Sequence, residues 1–128
     1  MQIESRLIRI IADGNVYEKK DLLQYFTSEK ELNKTINNIK SYGLNLIEEG
    51  NRYQLEDSIE FLRKSKIYDH LSVLGCAQNI FISVKNIVES TSREFDTSDI
   101  STKEIKVSLA EYQTSGRGRQ HRTWISPF

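Results

Sequence analysis

Cysteine is nearly missing from this chain of 128 residues: Cys76 is the only one. An internal disulfide is excluded, no cysteine-based metal spacing exists, and the composition fits a reducing cytoplasm. His70 and His121 lie far apart with no cysteine cluster near either, so no metal site is expected. Long apolar runs are missing too. No stretch of about 18 apolar residues occurs, so neither a transmembrane helix nor a membrane partner is expected. The opening residues, MQIESRLIRIIADG, mix charges into their apolar pattern and lack a small-residue cleavage site, which argues against a signal peptide. A surplus of one charge is also absent. Lys+Arg and Asp+Glu number 18 each; residues 1–66 hold 11 of each and the remainder 7 of each. Bulk charge therefore marks no polyanion binder, and any nucleic-acid contact must come from a local face. What is present, 38% hydrophobic and 28% charged residues, suits a globular chain of one medium domain or two small ones.

Residues 1–60 read as three helices and a hairpin. Leu7, Ile8, Ile10 and Ile11 form an apolar stripe at helical spacing, and Asp13-Gly14 stops it. A second helix is expected over Glu18 to Phe26, with Leu22, Tyr25 and Phe26 inward. Ser28-Glu29-Lys30-Glu31 is a capping box, Ser28 at the N-cap and Glu31 at N3 satisfying each other's N–H groups. The third helix buries Leu32, Ile36, Ile39 and Tyr42, and Gly43 ends it. Leu44–Ile47 and Arg52–Leu55 flank Glu49-Gly50-Asn51 as a short hairpin. Three helices and a hairpin make a winged helix-turn-helix pattern, with helix three the candidate recognition helix. Its outer face carries Lys30, Asn33, Lys34 and Asn37, which suit phosphate contacts and base-edge amide contacts. The same residues suit a merely solvated face, and Glu29, Glu31, Glu48 and Glu49 count against DNA.

Residues 61–78 read as a linker with one short helix, capped by Ser65, running to about Leu71 and ending near Gly75. Asn79–Val88 reads as a strand, followed by Glu89-Ser90-Thr91-Ser92, which taken alone is a helix cap. Residues 93–102 are poorly patterned, a short helix and a polar loop. Ile105–Ala110 is the next strand. Two glycines, three arginines and a tryptophan then fall within Gly116–Trp124. Gly116 and Gly118 free the backbone for positive φ or for close approach to a ligand. Successive N–H groups can form an anion nest, to which Arg117, Arg119 and Arg122 add guanidinium forks. A solvated loop or a nucleic-acid-binding tail has the same composition. It is no P-loop, because no Gly-Lys-Ser/Thr ending follows.

The run Ala110-Glu111-Tyr112-Gln113, Gly116-Arg117-Gly118-Arg119, Arg122, Trp124 and Ser126-Pro127-Phe128 resembles the signature of biotin protein ligases, roughly A-E-x-Q-x-x-G-R-G-R-x-G-R-x-W-x-S-P. Glu89-Ser90-Thr91-Ser92 resembles that family's D-S-T-N element. Ser28 to Gly43, with Asn33-Lys34 and Ile36 inside it, resembles the recognition region of the bifunctional ligase/repressors. The resemblance implies an α+β chain: a winged helix-turn-helix DNA-binding domain over 1–60, a linker over 61–78, and over 79–128 the truncated start of a class II synthetase-like α/β catalytic domain. It implies biotin, ATP and Mg as cofactors, synthesis of biotinyl-5′-AMP, transfer of biotin to a lysine of a biotin carboxyl carrier protein, and repression at an operator DNA. By the same resemblance Ser90, Thr91, Ser92, Gln113, Gly116, Arg117, Gly118, Arg119, Arg122 and Trp124 belong to the biotin and adenylate site. Gln113 bonds biotin, Arg119 is the catalytic residue, and Trp124 packs within or beneath the ordered loop. Ser28, Lys30, Asn33, Lys34 and Asn37 belong to the DNA face. Ser92 stands where the family has asparagine and His121 where it has glycine.

The family continues beyond this span, with a lysine element and a small C-terminal domain that these residues do not contain. The isolated chain is therefore expected to be a catalytically incompetent monomer. Two other classes fit the residues: a stand-alone winged-helix regulator with a decayed ligase half, and a non-specific nucleic-acid binder acting through Arg117, Arg119 and Arg122.

Overall fold

The computed structural model describes residues 2–95, 103–125 and 128. It forms two compact units, Met1–Glu60 and Phe61–Pro127. Helices and strands are mixed, as an α+β chain requires.

The first unit runs α1 (Ile3–Ile11), β1 (Tyr17–Glu18), α2 (Lys19–Leu23), α3 (Glu29–Ser41), β2 (Leu46–Glu49) and β3 (Arg52–Leu55). Its core comes from the apolar stripes of the three helices and the inward residues of the hairpin. Leu7, Ile8, Ile11, Leu22, Leu32, Ile36, Ile39, Tyr53 and Leu55 are all buried. Thr35 is buried among them, and its hydroxyl donates to the Glu31 carbonyl at 2.8 Å, which removes the penalty of an unpaired polar group. Gly43, at φ 93°, provides the left-handed residue that ends α3.

Four expectations for this unit need correction. The second helix stops at Leu23 and not at Phe26. Tyr25 and Phe26 follow in tighter turns, their N–H groups donating to the carbonyls of Leu22 and Leu23. Tyr25 is exposed, and Tyr42 is half-buried as the C-cap of α3. The capping box closes on one side only. Ser28 Oγ accepts from the Glu31 N–H at 3.2 Å, but the Glu31 carboxylate accepts from the Thr27 N–H and hydroxyl, both at 2.8 Å.

The sheet of this unit has the order β1-β3-β2, all antiparallel. Strand β1, of two residues, pairs Tyr17 with Tyr53 and Glu18 with Arg52. Asp13 fixes the approach to it, accepting from the Asn15 N–H at 2.9 Å and the Tyr17 hydroxyl at 2.9 Å.

The second unit runs α4 (Lys64–Val73), β4 (Ile80–Val88), a 3-10 turn (Thr91–Glu94), β5 (Ile105–Gln113) and a tight turn (Arg119–His121). Strands β4 and β5 are parallel and in register from Ile80↔Ile105 to Val88↔Gln113. Strand β5 therefore extends three residues past the expected end at Ala110 and carries Gln113. Ile82, Ile87 and Val88 are buried, while Phe81 and Ile105 stay exposed.

The stretch read as a linker is a structured part of this unit. Arg63, not Ser65, stands at the start of α4, which continues to Val73. The Tyr68 hydroxyl donates to the Ile80 carbonyl and accepts from the Ile82 N–H, both at 2.9 Å. It thereby satisfies two backbone groups of β4 that would otherwise lie open to a further strand. The polar loop expected near Asp96, and Ser126-Pro127 of the signature, lie outside the described residues.

Candidate functional site

The site is built where the two parallel strands end. Strand β4 runs into Ser90 and Thr91, and β5 runs into Gln113. The pairing continues past the strands: Thr114 N–H donates to the Val88 carbonyl at 2.9 Å and Ser115 N–H to the Glu89 carbonyl at 2.8 Å. This brings the two polar segments together. Gln113 Oε1 accepts from the Thr91 N–H at 2.8 Å and from its hydroxyl at 3.3 Å. A backbone N–H can meet only the oxygen end of the amide, so this contact fixes the orientation of Gln113 and points its NH2 elsewhere. Ser90 is buried, and its hydroxyl lies 2.9 Å from that of Ser92. Ser92 is inside the 3-10 turn and not at its N-cap, so its expected capping role is corrected to a hydroxyl–hydroxyl contact.

The Gly-Arg stretch folds back on itself. Trp124 N–H donates to the Gly116 carbonyl at 2.8 Å, Gly118 N–H to the Arg122 carbonyl at 2.8 Å, and Arg117 pairs with Thr123 in an antiparallel bridge. Gly116 is needed for close approach: a Cβ there would lie 2.6 Å from the Trp124 carbonyl oxygen. Gly118 is extended, at φ −90° and ψ −178°, and any residue adopts that backbone. Positive φ falls instead on Gln120 and His121, each at 58°. Of the two uses expected of Gly116 and Gly118, positive φ or close approach to a ligand, neither glycine takes positive φ, and the close approach seen at Gly116 is to the chain itself. The N–H groups of Gly118, Arg122 and Trp124 are spent on carbonyls within the loop.

A cavity of about 440 Å3 opens along this loop, lined by Thr114, Ser115, Gly116, Arg117, His121, Arg122 and Thr123. The lining carries two guanidiniums, one imidazole and three hydroxyls, and no carboxylate. Such a donor-rich set suits an anion. Of the residues expected at the site, Gly116, Arg117 and Arg122 line the cavity, and Thr91 and Gln113 meet just before it. Arg119, Gly118 and Trp124 do not line it. Trp124 is 59% exposed, and its Cβ and Cδ1 lie 3.3 Å from where a Gly116 Cβ would be. Sequence reasoning missed Thr114, Ser115 and Thr123, although hydroxyls interleaved among the arginines were a visible signal, and it noted His121 only as a departure from the family's glycine.

The first unit carries a second constellation. Ser28, Lys30, Asn33, Lys34 and Asn37 are all exposed, with Lys30 to Asn37 on the face of α3 opposite Leu32, Ile36 and Ile39. The acids that counted against DNA are largely engaged. Glu29 pairs with Lys19, Glu48 with Lys40 at 2.7 Å, and Glu31 caps through Thr27. The Thr27 N–H and hydroxyl hold the Glu31 carboxyl below its ordinary value of 4.5. Among the described residues no cluster of three His, Cys, Asp or Glu side chains could hold a metal ion, and no helix is long and apolar enough to cross a membrane.

No family model matches the chain. Individual proteins do. The bifunctional ligase/repressor BirA of Escherichia coli (strain K12) is 28% identical over 125 residues, which is 96% of this chain and 37% of that protein. BirA of Salmonella typhimurium (strain LT2) is 28% identical over 124 residues, 95% of this chain and 37% of that protein. The chain thus spans a little over a third of the curated relatives it matches, and over nearly all of its own length it is similar to the N-terminal part of a bifunctional ligase/repressor.

Proposed function

We propose that this chain supplies the DNA-reading unit and the biotin-adenylate loop of a biotin protein ligase/repressor. The observation that carries the reading is the loop cavity: Arg117 and Arg122 with three hydroxyls and no acid, placed beside the Gln113–Thr91 pair at the carboxyl ends of two parallel strands. Ligands of α/β sheets bind outside those strand ends. The free NH2 end of Gln113 suits a ureido carbonyl of biotin, and the guanidiniums suit the phosphate of an adenylate. Ser90 and Ser92 brace the first turn of the site. Gly118 and Arg119 shape the loop, with Arg119 free to swing toward the phosphoryl group.

In the relatives' length of protein, ATP would supply the adenylyl group that activates the biotin carboxylate, and Mg would arrive with its phosphates. The residues present fit the adenylate, and none is assigned to the metal. For these 128 residues we propose binding alone. Ligation to a carrier-protein lysine is proposed for a protein of the relatives' length. Titration of the chain with biotinyl-5′-AMP in a calorimeter tests the reading. Saturable binding that Gln113→Ala and Arg117→Ala each weaken about tenfold or more is expected, the loss of one hydrogen bond to a charged or buried partner. Heat of dilution alone would overturn it.

The first unit is proposed to be a winged helix-turn-helix. Its order of three helices and a hairpin, with β1 closing the sheet, supports this. Lys30 and Lys34 would meet phosphates, and Asn33 and Asn37 base edges. Pairing of Glu29 with Lys19 and of Glu48 with Lys40 offsets part of the repulsion that their charge suggests, while Glu31 keeps its charge.

A further inference from the structure

We propose that His121 is a ligand-contacting residue of the loop, donating an imidazole N–H to the phosphate held by Arg117 and Arg122; this rests on the adenylate reading above. Two residues of the tight turn, Gln120 and His121, take φ 58°, a backbone that L side chains rarely adopt. Of these two, only His121 lines the cavity, and it shares that lining with the guanidinium residues Arg117 and Arg122. Histidine is among the residues less averse to this conformation, but glycine would take it without cost. Strained positions persist where the surroundings over-determine them, and they gather at binding sites. A glycine here would keep the turn and leave the cavity with no ring donor. Histidine keeps the turn and adds one, since the imidazole carries at least one N–H donor in either protonation state. The other charged groups of the lining are Arg117 and Arg122, so an anion is the partner the position favours.

The test is titration of the 128-residue chain and its His121→Gly and His121→Asn variants with biotinyl-5′-AMP. Emission of Trp124, the only tryptophan, reports on the loop. Glycine suits the backbone and removes the donor, whereas asparagine tolerates the same φ and retains N–H donors. Weakening by about tenfold in H121G, with H121N close to the parent, is expected for the loss of one charge-assisted hydrogen bond. Equal weakening in both with unchanged Trp124 emission also supports the contact, as one specific to the imidazole. Equal weakening with shifted emission means that His121 only holds the loop, and overturns it. Parent-like or tighter binding by H121G overturns the inference and leaves the adenylate reading standing. No binding by the parent chain overturns both.

Discussion

At Gly116 the physics turns on a single missing atom. A methyl group placed there would lie 2.6 Å from the Trp124 carbonyl oxygen, so Gly116→Ala cannot keep the hydrogen bond that closes the loop. The expected result is a shift in Trp124 emission with the helical far-UV signal unchanged; identical emission spectra would count against the loop geometry. Ser28 is a second such position. Its hydroxyl accepts the Glu31 N–H at the start of α3, so Ser28→Ala is expected to cost about 1 kcal/mol in denaturant unfolding. The partner carboxylate gives a pH dependence. Glu31 is held below 4.5 in the folded chain by Thr27, so its contribution is present above that pH and is lost as pH falls through the lowered value. Glu31→Gln is expected to flatten the fall of stability below about pH 5; an unchanged acid limb would refute this. The sequence made Ser28 legible because capping is local. It did not show which of two glycines matters, because Gly116 is selected by a residue eight positions on, and Gly118 by nothing in its own backbone.

At the scale of elements, α3 turns Leu32, Ile36 and Ile39 inward and Lys30, Asn33, Lys34 and Asn37 outward as its spacing predicts, while Thr35 joins the buried face and Tyr42 is only half-buried. If the outer face reads DNA, Lys34→Ala weakens binding across sequences and lowers the salt slope by about one, while Asn37→Ala weakens preference among sequences. Gel-shift titrations at several salt concentrations distinguish these; indifference to both changes would favour a solvated face. Periodicity made α1, α3 and the hairpin readable. It missed β1, because two residues cannot show an alternation, and the strand exists only through its pairing with Tyr53 and Arg52. It overran α2, because Tyr25 and Phe26 continue the apolar pattern while their backbone tightens into turns. The parallel pairing of β4 with β5 was equally hidden, since neither strand's own pattern specifies a partner 25 residues away.

At the scale of the molecule, the division into Met1–Glu60 and Phe61–Pro127 predicts that residues 1–60 melt cooperatively by themselves. Their buried set, from Leu7 to Leu55, is complete within that span. Leu32→Ala in that segment is expected to cost about 2–5 kcal/mol, the range for truncating a buried leucine. A broad, sloping melt of the segment would contradict the division. The signature of the Gly-Arg loop was readable because it is long and mixed in residue type. The chemistry of its cavity was not, because Thr114, Ser115 and Thr123 join the arginines only once the loop has folded back on itself.

The most direct test of the central claim is an amide map. The 15N-labelled chain is titrated with biotinyl-5′-AMP, and the shifts are followed residue by residue. Binding in the loop is expected to perturb Thr91, Gln113 and the amides from Gly116 to Arg122, with those of α3 unmoved. Unchanged spectra, or shifts gathered away from the loop, would contradict it.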